Sequence, residues 1–366
     1  MKNNYLLYPA QFVCVLFIMS IATSCKKGSI APKVVNATPV TLGLYEVGSG
    51  ANKRIFIPIM GIGTQSISYY GAFDTGSAGM TIDANGILPA SMITSSGIQV
   101  TGDSVVVNGI TVTSKQSTVS YGDKISSTKE YGNLAYASIK IGDQNGNLTI
   151  KRVPIFLYYK IVDGNGKQLA AHASDVFGVG PGVNYANTAI ASPLSYYPSG
   201  MGLTSGFKLA VLNSSSFSST GTFVTGLLSI GLTSSDLASN GFIMHPLTYY
   251  PLSQGSYSPN IPATITYNGT STSAYVLFDT GTPSVTVIED PKATNGVGSL
   301  PASSFVTVTT NKGFTYQYTT TSTSNLTAIQ NPNNTGDYRT VFSIDFFINN
   351  EILTDYTNHQ IGLKNN

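Results

Sequence analysis

One short motif occurs twice in this chain, and each copy places an aspartate in an apolar, strand-like segment. The first copy is GAFDTGSAGMTI, residues 71–82, and the second is VLFDTGTPSVTV, residues 276–287. An ionised carboxylate in such a segment is costly unless a nearby group holds or uses the charge. The two aspartates, Asp74 and Asp279, are 205 positions apart (279 − 74). The repeat therefore indicates two related halves, joined near residue 205, each contributing one carboxylate.

The composition favours strands over helices. Charged residues make up only 10% of the 366 residues, while the chain contains 37 Gly, 17 Pro and 22 Tyr. Long surface helices usually need Glu, Lys and Arg on their wet face, whereas short strands with polar turns do not. We therefore predict an all-β protein. Helix is expected only in short pieces, near Ser234–Asn240 and around Phe346–Leu353.

Several turns can be located from the sequence. Asn-Gly at 108–109 and at 268–269, and the segment DQNG at 143–146, each separate two apolar, strand-length segments. Asn-Gly and related pairs are the preferred residues of tight β-hairpin turns. These positions are predicted to be hairpins.

Charge and histidine content exclude several classes of function. The formal net charge is +2, and no Lys/Arg run is longer than the two residues of Lys26-Lys27, so nucleic-acid binding is not expected. His172, His245 and His359 are scattered, without Cys or acidic partners at ligand spacing. We expect neither a metal site, nor a Ser-His-Asp triad, nor a cofactor.

The first 25 residues have the pattern of an export signal. Lys2 precedes an apolar run, FVCVLFIMSIA, and small residues then lead to Cys25. The segment IATSCKKG resembles the lipobox of bacterial lipoproteins, which implies lipidation of Cys25, although an ordinary signal-peptidase site is the alternative. A polar tether over residues 26–39 would follow. We expect an exported protein of the cell envelope, in contact with the membrane only through this lipid anchor.

The two aspartates make chemical sense as a pair that shares one proton. If their loops meet, like charges a few Å apart cannot both ionise. The ionised carboxylate can then deprotonate a water molecule while the protonated one donates to a carbonyl oxygen, which hydrolyses an amide. The alternative is a pair of structural turn aspartates. The flanking residues expected to form the framework of the site are Thr75, Gly76, Ser77, Thr280, Gly281 and Thr282.

Further segments, in order along the chain, resemble the pepsin family of aspartic proteases. The segment at 61–77 is similar to the stretch that leads into the family's first catalytic loop, and residues 119–143 resemble its flap hairpin. That resemblance places Tyr121 and Gly122 at the flap tip, over the substrate. SDVFGVGPG, residues 174–182, resembles the segment that backs the first loop, with Gly178 as the backing glycine. VFSIDFF at 341–347 and DYTNHQIGLK at 355–364 match later landmarks.

The resemblance implies a bilobal fold and a peptidase activity. It predicts two β-barrel lobes, over residues 40–205 and 206–366, related by a pseudo-two-fold axis with a cleft between them. The implied function is an aspartic endopeptidase that binds an extended polypeptide in the cleft and acts as a monomer without a cofactor.

Two departures from the family pattern leave other functions open. Thr81 occupies the position of the tryptophan that normally braces the flap tyrosine, and Ser343, followed by Ile344, replaces a backing glycine. One alternative is a catalytically impaired pepsin-fold lipoprotein that binds peptides or glycans. Another is a Ser/Thr-rich structural surface lipoprotein.

Overall fold

Short strands joined by turns make up most of the chain, as its Thr, Tyr and Gly content predicts. The computed structural model describes residues 37–122, 127–143, 148–238, 241–251, 255–294 and 298–366. In chain order the strands are β1 Val40–Ser49, β2 Asn52–Ile62, β3 Gln65–Asp74, β4 Ala78–Asp83, β5 Ile93–Thr94, β6 Gly97–Ile98, β7 Ser104–Val107, β8 Ile110–Gly122, β9 Ser127–Ile141, β10 Leu148–Val162, β11 Val176–Val179, β12 Val183–Asn184, β13 Asn187–Ala191, β14 Thr204–Leu209, β15 Thr222–Leu232, β16 Ile243–Pro246, β17 Thr248–Tyr250, β18 Ser256–Ser258, β19 Ile261–Tyr267, β20 Thr270–Phe278, β21 Val285–Glu289, β22 Gly298–Ser299, β23 Phe305–Thr310, β24 Thr315–Thr319, β25 Leu326–Gln330, β26 Arg339–Phe342, β27 Asn350–Asp355 and β28 Gln360–Asn365.

Helices are short, and one predicted helix is wrong. The α-helices of the described residues are α1 Ser234–Ala238 and α2 Pro332–Thr335, and α1 confirms the first helix prediction. Short 3-10 helices span Ala90–Met92, Pro193–Tyr196 and Ile344–Ile348. Around 346–353 the chain therefore makes one 3-10 segment and then continues as β27. The segment is extended there because β27 pairs with both β14 and β28, and this sheet pairing overrides local helix preference.

The larger sheet has 14 strands in the order β16-β28-β27-β14-β15-β1-β2-β3-β11-β4-β10-β9-β8-β7. Strand β14 starts at the predicted join, and it pairs with β15 and β27. Strands from both predicted lobes thus contribute to this sheet. The division at residue 205 stays a prediction.

A second sheet of eight strands has the order β22-β25-β21-β26-β20-β19-β23-β24. It lies wholly between Ile261 and Phe342 of the described chain, and aromatic side chains pack around its Phe278. The all-β, two-lobed architecture predicted from the sequence is therefore confirmed. Three two-stranded sheets pair β5 with β6, β12 with β13 and β17 with β18.

Both Asn-Gly hairpins form as predicted. Asn108 and Gly109 have φ of 51° and 71°, and Asn268 and Gly269 have φ of 47° and 77°. Two consecutive positive φ values define the tight turn whose twist matches that of the flanking strands. The turn predicted at 143–146 lies mostly outside the described residues, although Ile141 and Leu148 pair across it.

The repeated motif occupies the same topological position in both sheets. Strand β3 ends at Asp74 and pairs in parallel with β11, while β20 ends one residue before Asp279 and pairs in parallel with β26. Phe73 and Phe278, which precede the aspartates, are buried. Each carboxylate is thus carried by the end of a strand anchored in a core.

Candidate active site

The two Asp-Thr-Gly loops face each other across the cleft. A Cβ atom built on Gly76 would lie 2.5 Å from the carboxyl carbon of Asp279, and one built on Gly281 would lie 2.7 Å from that of Asp74. Any side chain at either glycine would therefore collide with the carboxylate of the opposite loop. The sequence predicted that the loops meet, and the geometry brings Asp74 and Asp279 side by side.

The first loop holds its carboxylate with three donors. The Gly76 and Ser77 N–H groups donate to Asp74 Oδ1 at 2.7 and 3.1 Å. The Ser77 hydroxyl donates to Asp74 Oδ2 at 2.6 Å. The short hydroxyl bond and the backbone bonds grip opposite oxygens, which fixes the plane of the carboxylate.

The second loop repeats this arrangement with one donor fewer. The Gly281 N–H donates to Asp279 Oδ1 at 2.7 Å, and the Thr282 hydroxyl donates to Asp279 Oδ2 at 2.6 Å. The Thr282 N–H instead donates to the backbone carbonyl of Asp279 at 3.3 Å. Ser77 and Thr282 thus occupy equivalent places.

The two threonines of the motif lock the loops together. The Thr75 N–H donates to Thr280 Oγ1, and the Thr280 N–H donates to Thr75 Oγ1, both at 3.0 Å. Each hydroxyl in turn donates to the opposite strand, Thr75 to the Phe278 carbonyl at 2.8 Å and Thr280 to the Phe73 carbonyl at 2.6 Å. Every polar atom in this buried exchange has a partner, so the spacing of the two carboxylates is fixed.

Electrostatics favour a proton on the pair. Asp74 is 8% exposed. Burial raises the pKa of Asp74 well above its usual range, and the nearby charge of Asp279 raises it further, against the opposing effect of the Ser77 and Gly76 hydrogen bonds. One proton is therefore retained between the carboxyls under conditions in which an ordinary aspartate would be ionised.

The hairpin of β8 and β9 is the predicted flap, and its residues Tyr121 and Gly122 line the same cleft as Asp74 and Asp279. Tyr121 and Gly122 are the last residues of β8, and Gly122 pairs with Ser127. Residues 123–126 are outside the described part. Thr81 Oγ1 lies 3.2 Å from the Tyr121 hydroxyl, so the residue that replaces the expected tryptophan still contacts the flap tyrosine.

The first loop is backed by Gly178, as the sequence predicted. Gly178 pairs with Asp74 on one side and with Gly79 on the other. A Cβ atom at Gly178 would lie 2.7 Å from the Gly79 carbonyl oxygen and 2.8 Å from Ser77 Oγ. Glycine is required here because two backbones and the Ser77 side chain converge on it.

The second loop accommodates Ser343 at the comparable place. The Ser343 N–H donates to Thr286 Oγ1 at 3.2 Å, and the Thr286 hydroxyl donates to Ser343 Oγ at 3.4 Å. The preceding residue, Phe342, accepts the Asp279 N–H at 2.9 Å. The buried hydroxyl of Ser343 therefore has a partner, and the backbone support of Asp279 is intact.

The cleft above the two carboxylates has a volume of about 770 Å³. One wall is a face of the smaller sheet, on which Leu277, Val287 and Val341 lie in register. Farther along the same strands this wall becomes polar, with Glu289 and Arg339. The wall is thus apolar beside the two carboxylates and polar farther away, so it can contact both apolar and polar groups of a bound ligand.

Sequence reasoning missed the polar end of this wall. Arg339 makes a bidentate ion pair with Asp337, with Nε–Oδ1 and Nη2–Oδ2 distances of 2.9 and 2.6 Å. The Gln330 amide donates to Glu289, which lies in β21. The one available signal was a charged residue at the end of a strand, in VTVIED at 285–290.

A buried ion pair between the two halves was also missed. Lys53 Nζ lies 2.7 Å from Asp345 Oδ1, and these side chains are 10% and 4% exposed. Asp345 Oδ2 also accepts the Asn325 N–H at 2.6 Å. In the sequence, Lys53 is simply one of two cations at the start of a strand, so nothing marks it as buried.

The expectation that histidines lack acidic partners was wrong for His172. His172 Nδ1 lies 2.7 Å from Asp175 Oδ2, and the ring stacks on Tyr69 with centroids 3.8 Å apart. Burial lowers the pKa of His172, but the hydrogen bond and charge of Asp175 outweigh it and raise the pKa above its usual value. Among the described residues, no three His, Cys, Asp or Glu side chains are grouped to hold a metal ion.

The export signal, Cys25 and most of the tether lie outside the described residues, so their predicted roles are untested. In the part of the chain that the structure describes, no helix has the length and apolar character needed to cross a bilayer.

Comparison with known proteins shows the fold of the chain. No protein-family model matches the sequence, and no curated protein matches it. Among solved structures, the chain is similar to the crystal structure of an aspartic proteinase from Irpex lacteus, with a TM-score of 0.56 and 17% sequence identity. The match covers 89% of this chain and 97% of that one. The protein therefore has the bilobal, all-β pepsin-like fold.

Proposed function

We propose that this protein is an aspartic-type endopeptidase that hydrolyses peptide bonds with Asp74 and Asp279. The observation that carries the proposal is the reciprocal packing of the two loops, in which each glycine lies against the other loop's carboxylate. Structural turn aspartates would each need only their own loop. Two loops built to hold two carboxylates in contact, in an open cleft, are better explained by shared acid–base work.

The dyad would act as one unit with a single proton. Its ionised carboxyl accepts a proton from a water molecule held between the two, and the water oxygen attacks the carbonyl carbon of the scissile amide. The protonated carboxyl donates to the carbonyl oxygen at the same time. As the resulting tetrahedral intermediate collapses, the carboxyl that accepted the water proton gives it to the amide nitrogen, which leaves as the amine, and a hydroxyl of the intermediate returns its proton to the other carboxylate as the new carboxylic acid forms.

The substrate would be a polypeptide bound in extended form. The cleft is lined on one side by a sheet face, and the flap strand β8 borders it at Ser120, Tyr121 and Gly122. Extended peptides bind such sites through backbone hydrogen bonds to exposed strands. Tyr121 would close over the substrate and exclude water from the dyad.

A binding protein without catalysis is the competing function. Its case depends on the departures at Thr81 and Ser343. In this fold Thr81 contacts the Tyr121 hydroxyl, and Ser343 is hydrogen-bonded to Thr286, so neither departure leaves a gap at the site. This favours the peptidase.

Digestion of a denatured protein between pH 3 and pH 7, with and without pepstatin, tests the proposal. We expect pepstatin-sensitive cleavage on the acidic side, and none from Asp74→Asn or Asp279→Asn. A well-folded parent without cleavage at any pH would favour the binding protein, and full activity in Asp279→Asn would exclude the two-carboxylate mechanism.

We also propose that the protein is exported and held at the cell envelope as a monomer through a lipid on Cys25. Acyl chains at a single N-terminal residue can supply the whole membrane affinity. Cys25→Ser should move the protein from the membrane fraction to the soluble envelope fraction. Unchanged partitioning would contradict the anchor and leave the peptidase proposal untouched.

A further inference from the structure

A glutamate points into the apolar layer beneath the flap. Glu130 lies in β9, where it pairs with Val119 of β8 on one side and Ile161 of β10 on the other. Directly paired residues of neighbouring strands project from the same face of a sheet. Val119 and Ile161 are each 2% exposed and belong to a small apolar cluster, so Glu130 projects into that cluster.

The Glu130 carboxyl is fully enclosed and poorly solvated. The residue is 0% exposed, and neither carboxyl oxygen meets hydrogen-bond geometry with any described group. Burial raises the pKa of Glu130 well above its usual range, and the charges of Asp175 and Asp83 raise it further, against the opposing effect of Thr81. A carboxyl in this position is neutral under acidic conditions and therefore has a proton to donate.

The groups around Glu130 are acidic or neutral, apart from one partly exposed histidine. Asp175 accepts the Tyr158 hydroxyl at 2.7 Å and contacts His172, and Asp83 accepts the His172 N–H at 3.1 Å. Asp175, Asp83 and Tyr158 therefore already have hydrogen-bond partners other than Glu130. Thr81 is the remaining polar side chain near Glu130; its hydroxyl lies outside hydrogen-bond geometry with the carboxyl and lowers the pKa of Glu130. Tyr121 pairs with Thr128, two positions before Glu130 in β9, so Tyr121 and Glu130 project from the same face of the hairpin toward one apolar cluster.

Thr81 also contacts the flap tyrosine, on the side of the cluster that Glu130 faces. Thr81 is 0% exposed, and its single hydroxyl lies 3.2 Å from the Tyr121 hydroxyl. Burial raises the pKa of Tyr121 well above its usual value, and Glu130 and Asp74 raise it further, so the phenol stays protonated. A row of carboxyl, threonine hydroxyl and phenol can carry its hydrogen bonds in either of two directions.

We propose that Glu130 is a positioning residue, which in its neutral form donates to Thr81 and thereby turns the Tyr121 hydroxyl toward the cleft. In that direction Thr81 donates to Tyr121, and the phenol proton is available to substrate. When Glu130 ionises, Thr81 must donate to the carboxylate and Tyr121 to Thr81. The phenol then turns away from the cleft, and a buried charge lies beneath the flap.

The flap should be more ordered at low pH than at high pH. Because the folded state holds the Glu130 proton more tightly than an unfolded chain, the ordered flap is favoured at low pH and is weakened as pH rises through the folded-state pKa. Asp83, Asp175, His172, Tyr158 and Asp74 are other ionisable side chains that face the same region. A test must therefore isolate Glu130 from them.

The experiment compares the parent with Glu130→Gln, which keeps the shape but has no proton to lose. Hydrogen-exchange protection factors for residues 116–122 and 127–133 should fall with rising pH in the parent, by about fivefold or more between pH 4 and pH 7, and stay level in the variant. The kcat/KM of the parent on an unstructured peptide should fall more steeply above its optimum than that of Glu130→Gln.

Two variants control for a merely structural effect. Glu46→Gln alters a second carboxyl that is 0% exposed, with a raised pKa caused by burial, in β1 rather than beside the flap. Glu46→Gln should leave the pH dependence of the flap protection factors and of kcat/KM as it is in the parent. Thr81→Val removes the connecting hydroxyl, and in that background Glu130→Gln should change the pH profile of kcat/KM less than it does in the parent.

The outcomes separate this inference, which rests on the proposed function, from that function itself. Equal pH dependence of flap protection in the parent and Glu130→Gln would overturn the inference, whether or not the protein cleaves peptides. Different protection with superimposable kcat/KM profiles would overturn the link to catalysis. A parent without peptidase activity would sink the proposed function, while the exchange measurement would still decide the role of Glu130.

Discussion

The two Asp-Thr-Gly loops have the same core of hydrogen bonds but differ in what surrounds it. In both, a glycine N–H and a hydroxyl grip opposite oxygens of the aspartate, and the threonines exchange bonds of equal length, 3.0 Å. Asp74 accepts one further N–H, from Ser77, that has no counterpart at Asp279. The hydrogen bonds common to both loops are those that hold the paired carboxylates in place, whereas the other contacts differ between the loops.

The backing of the loops is where they diverge most. Behind the first loop, β11 pairs with β4 over four positions, whereas behind the second loop β26 pairs with β21 at one. The close pairing admits only glycine at 178, and the looser one admits Ser343. Replacement of the backing glycine by a larger residue therefore has different structural consequences in the two loops.

Support across the cleft is also unequal. The first half reaches the second loop through β2, where the Lys53 N–H donates to the Pro283 carbonyl at 2.8 Å and the Lys53 ammonium pairs with Asp345. The second loop thus depends on the first half for part of its support. The first loop is supported chiefly by its own strands, β4 and β11.

The largest expected effect is on catalysis, where the loops should be equivalent. Asp74→Asn and Asp279→Asn should each lower kcat by about 10³-fold or more, because a dyad that shares a proton needs both carboxyls. A pH–rate profile on an unstructured peptide measures this. Substantial activity in one variant alone would show that the loops are not equivalent.

Asp74→Asn should also change the stability of the fold, by an amount that depends on pH. The folded-state pKa of Asp74 is raised, so its stabilising contribution is fully present below the unfolded pKa of about 3.9 and is lost as pH rises through the folded-state value. Asp74→Asn has no proton to lose and should gain stability relative to the parent as pH rises. Melting curves at pH 4 and pH 7 would contradict this if the difference between variant and parent did not change.

Breaking the support from β2 should have the next largest effect. Lys53→Met leaves the buried Asp345 carboxylate without its cation, which we expect to cost about 3 kcal/mol of unfolding free energy. Denaturant titration measures the change. Lys364→Met is the matched control, since its partner Glu351 is 21% exposed and such pairs contribute about 1 kcal/mol or less. Equal losses of unfolding free energy in the two variants would show that the buried Lys53–Asp345 pair contributes no more than a partly exposed pair.

The repeat made the fold and the dyad predictable, and its physical basis is simple. Alternating Val, Ile, Tyr and Thr between turn residues specify strands. An aspartate before Thr-Gly at the end of an apolar strand needs a second group that holds or shares its charge. The framework residues Thr75 and Thr280 lie where that logic expects them. Their hydrogen bonds cross to the opposite half of the chain, and their roles were predictable because the repeat marks both partners in the sequence.

Contacts between distant segments could not be predicted in this way. Glu130, Lys53 and Asp345 are single charges in unremarkable strands, and only the register of the folded sheets shows that they are buried. The helix expected around 346–353 failed for a related reason, because pairing of β27 with β14, more than 140 positions earlier (350 − 209 = 141), decides its conformation. Local preference is a weak guide where tertiary pairing competes with it.

A side chain added behind the first loop should cost less than loss of the ion pair, but more than any change behind the second. Gly178→Ala places a methyl group 2.7 Å from the Gly79 carbonyl oxygen and 2.8 Å from Ser77 Oγ, so the strands must separate at a cost of about 2 kcal/mol. Displacement of Ser77 should also lower kcat. Gly298→Ala, where an added Cβ meets nothing within 4 Å, is the control. Equal unfolding free energies for Gly178→Ala and the parent would contradict the close packing.

The smallest effect is expected from restoring glycine behind the second loop. Ser343→Gly removes the 3.4 Å contact of its hydroxyl with Thr286, but it keeps the N–H bond to Thr286 Oγ1. The lost hydrogen bond and the greater freedom of the unfolded chain should together cost about 1 kcal/mol. Ser343→Ala, which retains the Cβ atom, separates these two contributions. Because the Asp279 N–H bond to the Phe342 carbonyl does not involve the Ser343 side chain, kcat/KM should stay within about twofold of the parent. A large rise in kcat/KM would instead mean that serine impairs the second loop, and it would strengthen the case for a chain that has partly lost its catalysis.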